Sequence, residues 1–174
     1  MKLQTALIII PPPEVQIFTS PLREKYDPEG FATGPAHITL IYPFVEEPRI
    51  EEARVKLTSL CSEVEPFTIT LDRYGRFPEA YFLAPLDPRP IISLHRLIFD
   101  AFPDYPPYEG EFGDELIPHL TLATFNDSTT AELIKLPPTP TFTFTVDRIH
   151  MHLGPAEGHV SWIPVDVFHL GAKA

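Results

Sequence analysis

Residues 35–40 read Pro35-Ala36-His37-Ile38-Thr39-Leu40, and residues 118–122 repeat the phrase as Pro118-His119-Leu120-Thr121-Leu122. Apolar and aromatic residues follow each copy, Ile41-Tyr42-Pro43-Phe44 in the first and Ala123-Thr124-Phe125 in the second, so both lie in β-prone surroundings. Side chains alternate faces along a strand, which puts His37 and Thr39 on one face and Ile38 and Leu40 on the other. His119 and Thr121 stand likewise opposite Leu120 and Leu122. At this chain's own frequencies of His, Thr and Leu, roughly 0.06 copies of His-x-Thr-Leu are expected by chance, so the pair asks for a shared purpose where a single copy would not. Two such strands facing each other would hold two imidazoles around one small anion.

The duplication extends beyond the phrase. Residues 67–73, Phe-Thr-Ile-Thr-Leu-Asp-Arg, line up with residues 142–148, Phe-Thr-Phe-Thr-Val-Asp-Arg. Each half therefore reads as a His-x-Thr strand, a helix, a Thr-rich strand, a hairpin and a further strand. Alternation puts Phe67, Ile69 and Leu71 on an apolar face and Thr68, Thr70 and Asp72 on a polar one, and the second copy follows suit. The expectation is an α+β fold, internally duplicated and two-lobed. Each half would supply one antiparallel sheet, with helices outside and the polar faces opposed across a central cleft. Residues 1–174 would then form a single domain of two pseudo-symmetric lobes.

Other segments fill in this outline. The apolar run 6–10 ends in Pro11-Pro12-Pro13 and reads as a first buried strand, being too short for a secretion signal. Helical spacing appears over 14–26, interrupted by Pro21, and most cleanly over 50–64, where Cys61 falls in the apolar stripe and reads as a packed, inert thiol. Residues 27–30 read as a turn. Strands are expected at 67–73 and 80–86, joined as a hairpin, then a helix begun by Asp87-Pro88 in which His95 is a packed structural histidine. A Pro-, Gly- and acid-rich stretch at 104–116 reads as a loop, either a lid or binding loop or, since its negative charge would repel a phosphate, a plain solvated connection. A short helix capped by Ser128, a strand over 141–149 and a last strand over 159–168 complete the chain.

Composition limits the partners. With 174 residues and 44% hydrophobic content the chain can bury a sizeable core, and its 22 prolines fall mostly between periodic stretches. A net charge of -11 argues against an extended nucleic-acid surface, which needs Lys and Arg to displace counterions. One cysteine forms no internal disulfide and fits a reducing, cytoplasmic setting. No stretch has the length and apolarity of a membrane-spanning helix.

Two imidazoles across a cleft suit general acid-base catalysis, one taking a proton from the attacking oxygen while the other protonates the leaving oxygen. Phosphoryl transfer has that in-line geometry, and the Thr39 and Thr121 hydroxyls can donate to non-bridging phosphate oxygens. Near the phrases there is no two-metal carboxylate cluster, phosphate loop or nucleophile elbow, so the expected chemistry needs no metal or other cofactor. Tyr74 and Phe125 share the parity of the polar faces and are weaker candidates for stacking on a base.

Paired His-x-Thr-x motifs in a small duplicated α+β chain resemble the 2H phosphoesterase superfamily, which includes bacterial 2′-5′ RNA ligase-like proteins and cyclic phosphodiesterases. The resemblance covers nearly the whole chain and takes in the opening strand, Arg-x-Lys-Tyr-Asp-Pro at 23–28, His37-Ile-Thr39-Leu with Tyr-Pro-Phe behind it, and Pro118-His119-Leu-Thr121-Leu. It implies that His37 and His119 are general acid and base, that Thr39 and Thr121 bind the scissile phosphate, and that the substrate is a cyclic-phosphate nucleotide or RNA end. The implied reactions are opening of 2′,3′-cyclic phosphates or reversible joining of RNA through a 2′-5′ bond. Which histidine is the base is not fixed by sequence. Two alternatives stand beside this reading: a silent nucleotide- or RNA-binding module, and a metal-binding protein built on His150-x-His152 with Glu157 and His159.

Overall fold

The structure, a computed structural model, describes residues 3–106, 110, 115–156 and 160–171. The chain runs β1 (Leu3–Ile9), α1 (Pro13–Tyr26), α2 (Pro28–Thr33), β2 (Ile38–Ile41), α3 (Ile50–Ser62), β3 (Phe67–Phe77), β4 (Ala80–Pro85), α4 (Arg89–Ala101), β5 (Leu120–Thr124), α5 (Ser128–Leu133), β6 (Phe142–Val146), β7 (Arg148–Pro155) and β8 (Ile163–His169). The strands form two antiparallel four-stranded sheets, ordered β2-β1-β7-β8 and β5-β4-β3-β6. The α+β, two-lobed architecture expected from the repeat is the one observed.

The division of strands between the sheets differs from the expectation. The two Phe-Thr-x-Thr copies do not lie in separate sheets. They pair with each other, Phe67 opposite Val146, Ile69 opposite Phe144 and Leu71 opposite Phe142. Cross-strand partners share a face, so like repeats placed antiparallel match Phe, Ile and Leu with Phe, Phe and Val on one side and Thr with Thr on the other. The Thr70 and Thr143 hydroxyls lie 2.9 Å apart in that pairing. The single strand expected over 141–149 is broken at Asp147, where the chain leaves one sheet as β6 and enters the other as β7. One lobe therefore joins the two ends of the chain, and the other takes its middle.

Helices cross over between lobes. The long α1, kept as one helix despite Pro21, packs on β5 and meets β6 through an edge-to-face contact of Phe18 with Phe142 at 5.4 Å. The middle of the chain sends α3 and α4 back to cover β8 and β2 of the first sheet. The turn expected at 27–30 is instead the start of the short α2, and Asp127 rather than Ser128 caps α5 by accepting the Thr130 N–H at 2.7 Å. Among the described residues no helix is long and apolar enough to cross a membrane.

Packing fixes the register of the His-x-Thr strands. Ile38, Leu40, Leu120 and Leu122 are fully buried. Each such side chain contributes ~1.5–3 kcal/mol when withdrawn from water. A one-residue slip would exchange the apolar pair for the imidazole and hydroxyl, so the hydrocarbon face decides where the polar face points. From α4, His95 Nδ1–H donates to Leu40 O at 2.8 Å, supporting β2 from behind in the structural role read from its stripe position. Cys61 is buried in α3, and burial pushes its thiol up to about 12.

Candidate functional site

Both histidines stand one residue before their strands, β2 beginning at Ile38 and β5 at Leu120. Each ring turns back on its own chain in the same way. His37 Nδ1 lies 2.9 Å from Pro35 O, and His119 Nδ1 lies 2.7 Å from Ile117 O. A carbonyl oxygen only accepts, so Nδ1 carries the hydrogen in both rings, and Nε2 is left as the free nitrogen. Two imidazoles separated by 82 positions are thus set in the same tautomer by local backbone.

They converge because β2 and β5 are edge strands of the two sheets, in contact with each other. His37, Thr39, His119 and Thr121 line one cavity of about 160 Å³, joined there by Arg23, Asp27, Gly30 and Thr33. All four residues named from the repeated phrase meet in it. His119 is braced by the edges of two aromatic rings, Phe77 at 4.8 Å and Phe82 at 5.5 Å. Phe82 itself lies across Gly75, where a Cβ would stand 2.2 Å from the ring. Those aromatic supports escaped the sequence reading, since Phe77 and Phe82 look like ordinary strand residues.

Tyr74 and Phe125 are not brought to the cavity. The β3–β4 register shifts between Leu71 and Arg73, and the β4–β5 register shifts between Tyr81 and Phe82. An extra residue in one strand reverses the alternation beyond it. Tyr74 pairs with the fully buried Leu83 on the apolar face, and its hydroxyl donates to Pro137 O at 3.0 Å. Phe125 is buried against Tyr81 at 5.0 Å, with the Arg76 guanidinium 5.3 Å from its ring. Period-2 parity carried the expectation past two bulges that sequence alone does not reveal.

Arg23 is the cation of the site and was not singled out, although 23–28 belongs to the quoted resemblance. Only 4% of its surface is exposed. Its guanidinium donates to Gly34 O at 3.0 Å and Gly30 O at 2.6 Å, and Nε lies 3.9 Å from Asp27 Oδ2 one helical turn on. Spacing of i and i+4 suggests an ion pair, but nothing in the sequence says that this one is buried. Burial outweighs the mutual attraction on both sides, lowering Arg23 and raising Asp27 from their ordinary pKa values. Asp27 also accepts from Thr124 Oγ1 at 3.3 Å, which ties the pair to β5.

The imidazoles differ in their surroundings. Desolvation pushes His37 down to about 4, helped by the nearby charges of Arg23, His152 and His119. The ring keeps some accessible surface, but it stands at the floor of a cleft, where cavity walls replace most of the water around it. His119 is also lowered by burial, opposed by its bond to Ile117 O, and no cation contributes. Anions entering the cavity would reverse both shifts, since negative charge favours imidazolium.

The metal-binding alternative finds His150 and His152 on one face of β7, ring centroids 6.4 Å apart. Among the described residues no three His, Cys, Asp or Glu groups gather to hold a metal ion, and Glu157 and His159 lie outside those residues. Most of the acidic loop at 104–116 lies outside them too.

Comparison with known proteins supports the fold and shows the family. Escherichia coli LigT, solved with 3′-AMP, superposes with a TM-score of 0.70 at 20% identity over 98% of this chain and 99% of its own. TT0787 of Thermus thermophilus superposes at 0.67 and 18% identity over the whole of both chains. In sequence, the Geobacillus kaustophilus protein named "Putative phosphoesterase" is 28% identical over 181 residues, 96% of each chain. The model of the 2′-5′ RNA ligase superfamily matches residues 11–154, from just after the first strand to the end of the seventh. The resemblance read from the two phrases holds, and the chain belongs to the 2′-5′ RNA ligase superfamily.

Proposed function

We propose that this chain is a phosphodiesterase that opens 2′,3′-cyclic phosphates on nucleotides or RNA ends without a metal. One observation carries the reading: two imidazoles, each with Nδ1 hydrogen-bonded to the carbonyl two residues back, line one cavity that both threonines also line. His37 is the base. Its low pKa keeps Nε2 unprotonated near neutrality, ready to take a proton from water as the water oxygen bonds to phosphorus. His119, protonated on Nε2 when the anion is bound, gives that proton to the ribose oxygen as the P–O bond breaks. The product is a ribose phosphomonoester.

Thr39 and Thr121 donate to the equatorial phosphate oxygens, and the Arg23 guanidinium contributes positive potential from the cavity wall. Holding the nucleophile and leaving group in line is most of what such a transfer asks of a protein. A nucleotide-sized ligand is supported by the solved complexes of LigT with 3′-AMP and with phosphate. An assay of nucleoside 2′,3′-cyclic phosphates with and without EDTA tests the proposal. Turnover is expected to persist in EDTA and to fall on the order of 10²–10⁴-fold in His37→Ala or His119→Ala. Binding without turnover, or turnover that needs added metal, would overturn it.

A further inference from the structure

His37 and His119 adjoin strands of different sheets, so the gap between them depends on how one lobe is held against the other. Asp27 stands at that junction, between α1 and α2, and is only 6% exposed. One arm of the junction runs to His37. Arg23, whose Nε lies 3.9 Å from Asp27 Oδ2, donates to Gly30 O and Gly34 O, and the Thr33 hydroxyl also donates to Gly30 O at 2.7 Å. The next residue, Pro35, supplies the carbonyl that holds His37 Nδ1 at 2.9 Å. The other arm runs to His119. Thr124, the last residue of β5, donates to Asp27 Oδ1 at 3.3 Å, and its hydroxyl also lies 3.4 Å from Tyr26 O. His119 stands immediately before the same strand.

Asp27 lines the phosphate cavity, yet both of its carboxylate oxygens are engaged within the protein. Oδ1 takes the Thr124 hydroxyl and Oδ2 faces Arg23, and a bound phosphate would be repelled by a second anion. Stability is a poor reason for the arrangement. A buried ion pair is commonly matched or bettered by apolar residues of similar volume, because desolvating both charges offsets their attraction. The fit is close: a Cβ on Gly30 would stand 2.2–2.9 Å from three atoms of the Asp27 carboxyl group, so a glycine there lets α2 close on it. What the carboxylate provides, and an apolar residue would not, is a bridge between the segment ahead of His37 and the strand behind His119.

We propose that Asp27 is a positioning residue, whose carboxylate bridges Arg23 and Thr124 and thereby sets the spacing of His37 and His119 across the cleft for in-line transfer at one phosphorus. The inference rests on the phosphoester reading of the cavity and adds the device that keeps its two halves aligned. Such a bridge acts on the transition state more than on binding. Without it Arg23, Thr39 and Thr121 still draw in the anion, while the acid and the base lose their common line through phosphorus.

Thr124 is exposed and does not line the cavity, so Thr124→Val cuts the bridge at nearly constant shape without removing a group that touches substrate, and Thr124→Ser keeps the hydroxyl. With a nucleoside 2′,3′-cyclic phosphate and fully folded protein, Thr124→Val is expected to lower kcat about tenfold with KM within about twofold of wild type, since a misplacement of about 1 Å can cost on the order of 10²-fold. Thr124→Ser should stay near wild type. Asp27→Ala should lower kcat at least as far as Thr124→Val, and combining the two should cost nothing further, because both cut one bond. An unchanged kcat in Thr124→Val, a loss confined to KM, the same loss in Thr124→Ser, or additive losses in the double variant would overturn the proposal. If Asp27→Ala fails to fold, the two Thr124 variants decide. If the wild type hydrolyses no cyclic phosphate, the proposed function falls, and imidazole NMR with inorganic phosphate decides the bridge. A phosphate-induced His119 shift smaller in Thr124→Val than in wild type, with the His37 shift retained, would uphold it; equal shifts in both proteins would overturn it.

Discussion

Replacing His95 by Leu tests how the first His-x-Thr strand is held. As an edge strand, β2 has carbonyls with no strand partner, and Leu40 O takes its hydrogen bond from His95 Nδ1 at 2.8 Å. Leucine leaves that buried carbonyl unpaired, at about 1–3 kcal/mol. Part of the cost is recovered, because His95 Nε2 is itself buried without a partner. A net loss of about 1–2 kcal/mol is therefore expected at pH 8, read from urea denaturation.

Lower pH should narrow the gap. Burial depresses the His95 pKa in the folded state, so the unfolded chain takes up the proton first. Its contribution is fully present above the unfolded value near 6.5 and is lost as pH falls below it, by at most about 1.4 kcal/mol per pH unit. His95→Leu lacks this penalty, so its deficit at pH 5 should be smaller than at pH 8. A deficit equal at both pH values, or a variant more stable than wild type at pH 8, would refute the reasoning.

Three further outcomes follow from the same surroundings. Because His37 must be neutral and His119 protonated, and both pKa values are depressed, kcat/KM should peak on the acid side of neutrality, its acid limb near pH 4; a profile flat from pH 4 to 9 would contradict the assignment. Arg23→Gln removes a charge that lowers His37, so the His37 pKa should rise in an NMR titration, whereas Arg23→Lys should hold it nearer the wild-type value. An unmoved His37 in Arg23→Gln would show that burial alone sets it. The Cys61 thiol, buried and pushed up to about 12, should be silent to a disulfide reagent at pH 8 until the protein unfolds; labelling of the native state at the rate of a free thiol would argue against its packing.

What the sequence made legible, and what it hid, have physical causes. His37, Thr39, His119 and Thr121 were readable because their aliphatic neighbours force one face inward, and a short-range rule fixes the other face. Tyr74 and Phe125 were misplaced because the same rule fails beyond a bulge, and a bulge leaves little trace in composition. The strand copies at 67–73 and 142–148 announced a duplication, but their symmetric pairing with each other is a long-range choice. Arg23, Trp162 and His152 reach the cleft from three distant segments, each ordinary in its local context. His150-x-His152 drew attention as a metal pair, and one of its members instead lines a second cavity, next to His37.

The central claim is that His37 and His119 act on one bound anion. Nitrogen NMR of the histidine rings, titrated with pH in the absence and presence of inorganic phosphate, measures this directly. The account predicts that phosphate raises both pKa values at a common binding constant, with Nδ1 protonated throughout in both rings. Phosphate that shifts only one ring, or a ring whose proton resides on Nε2 in its neutral form, would contradict it.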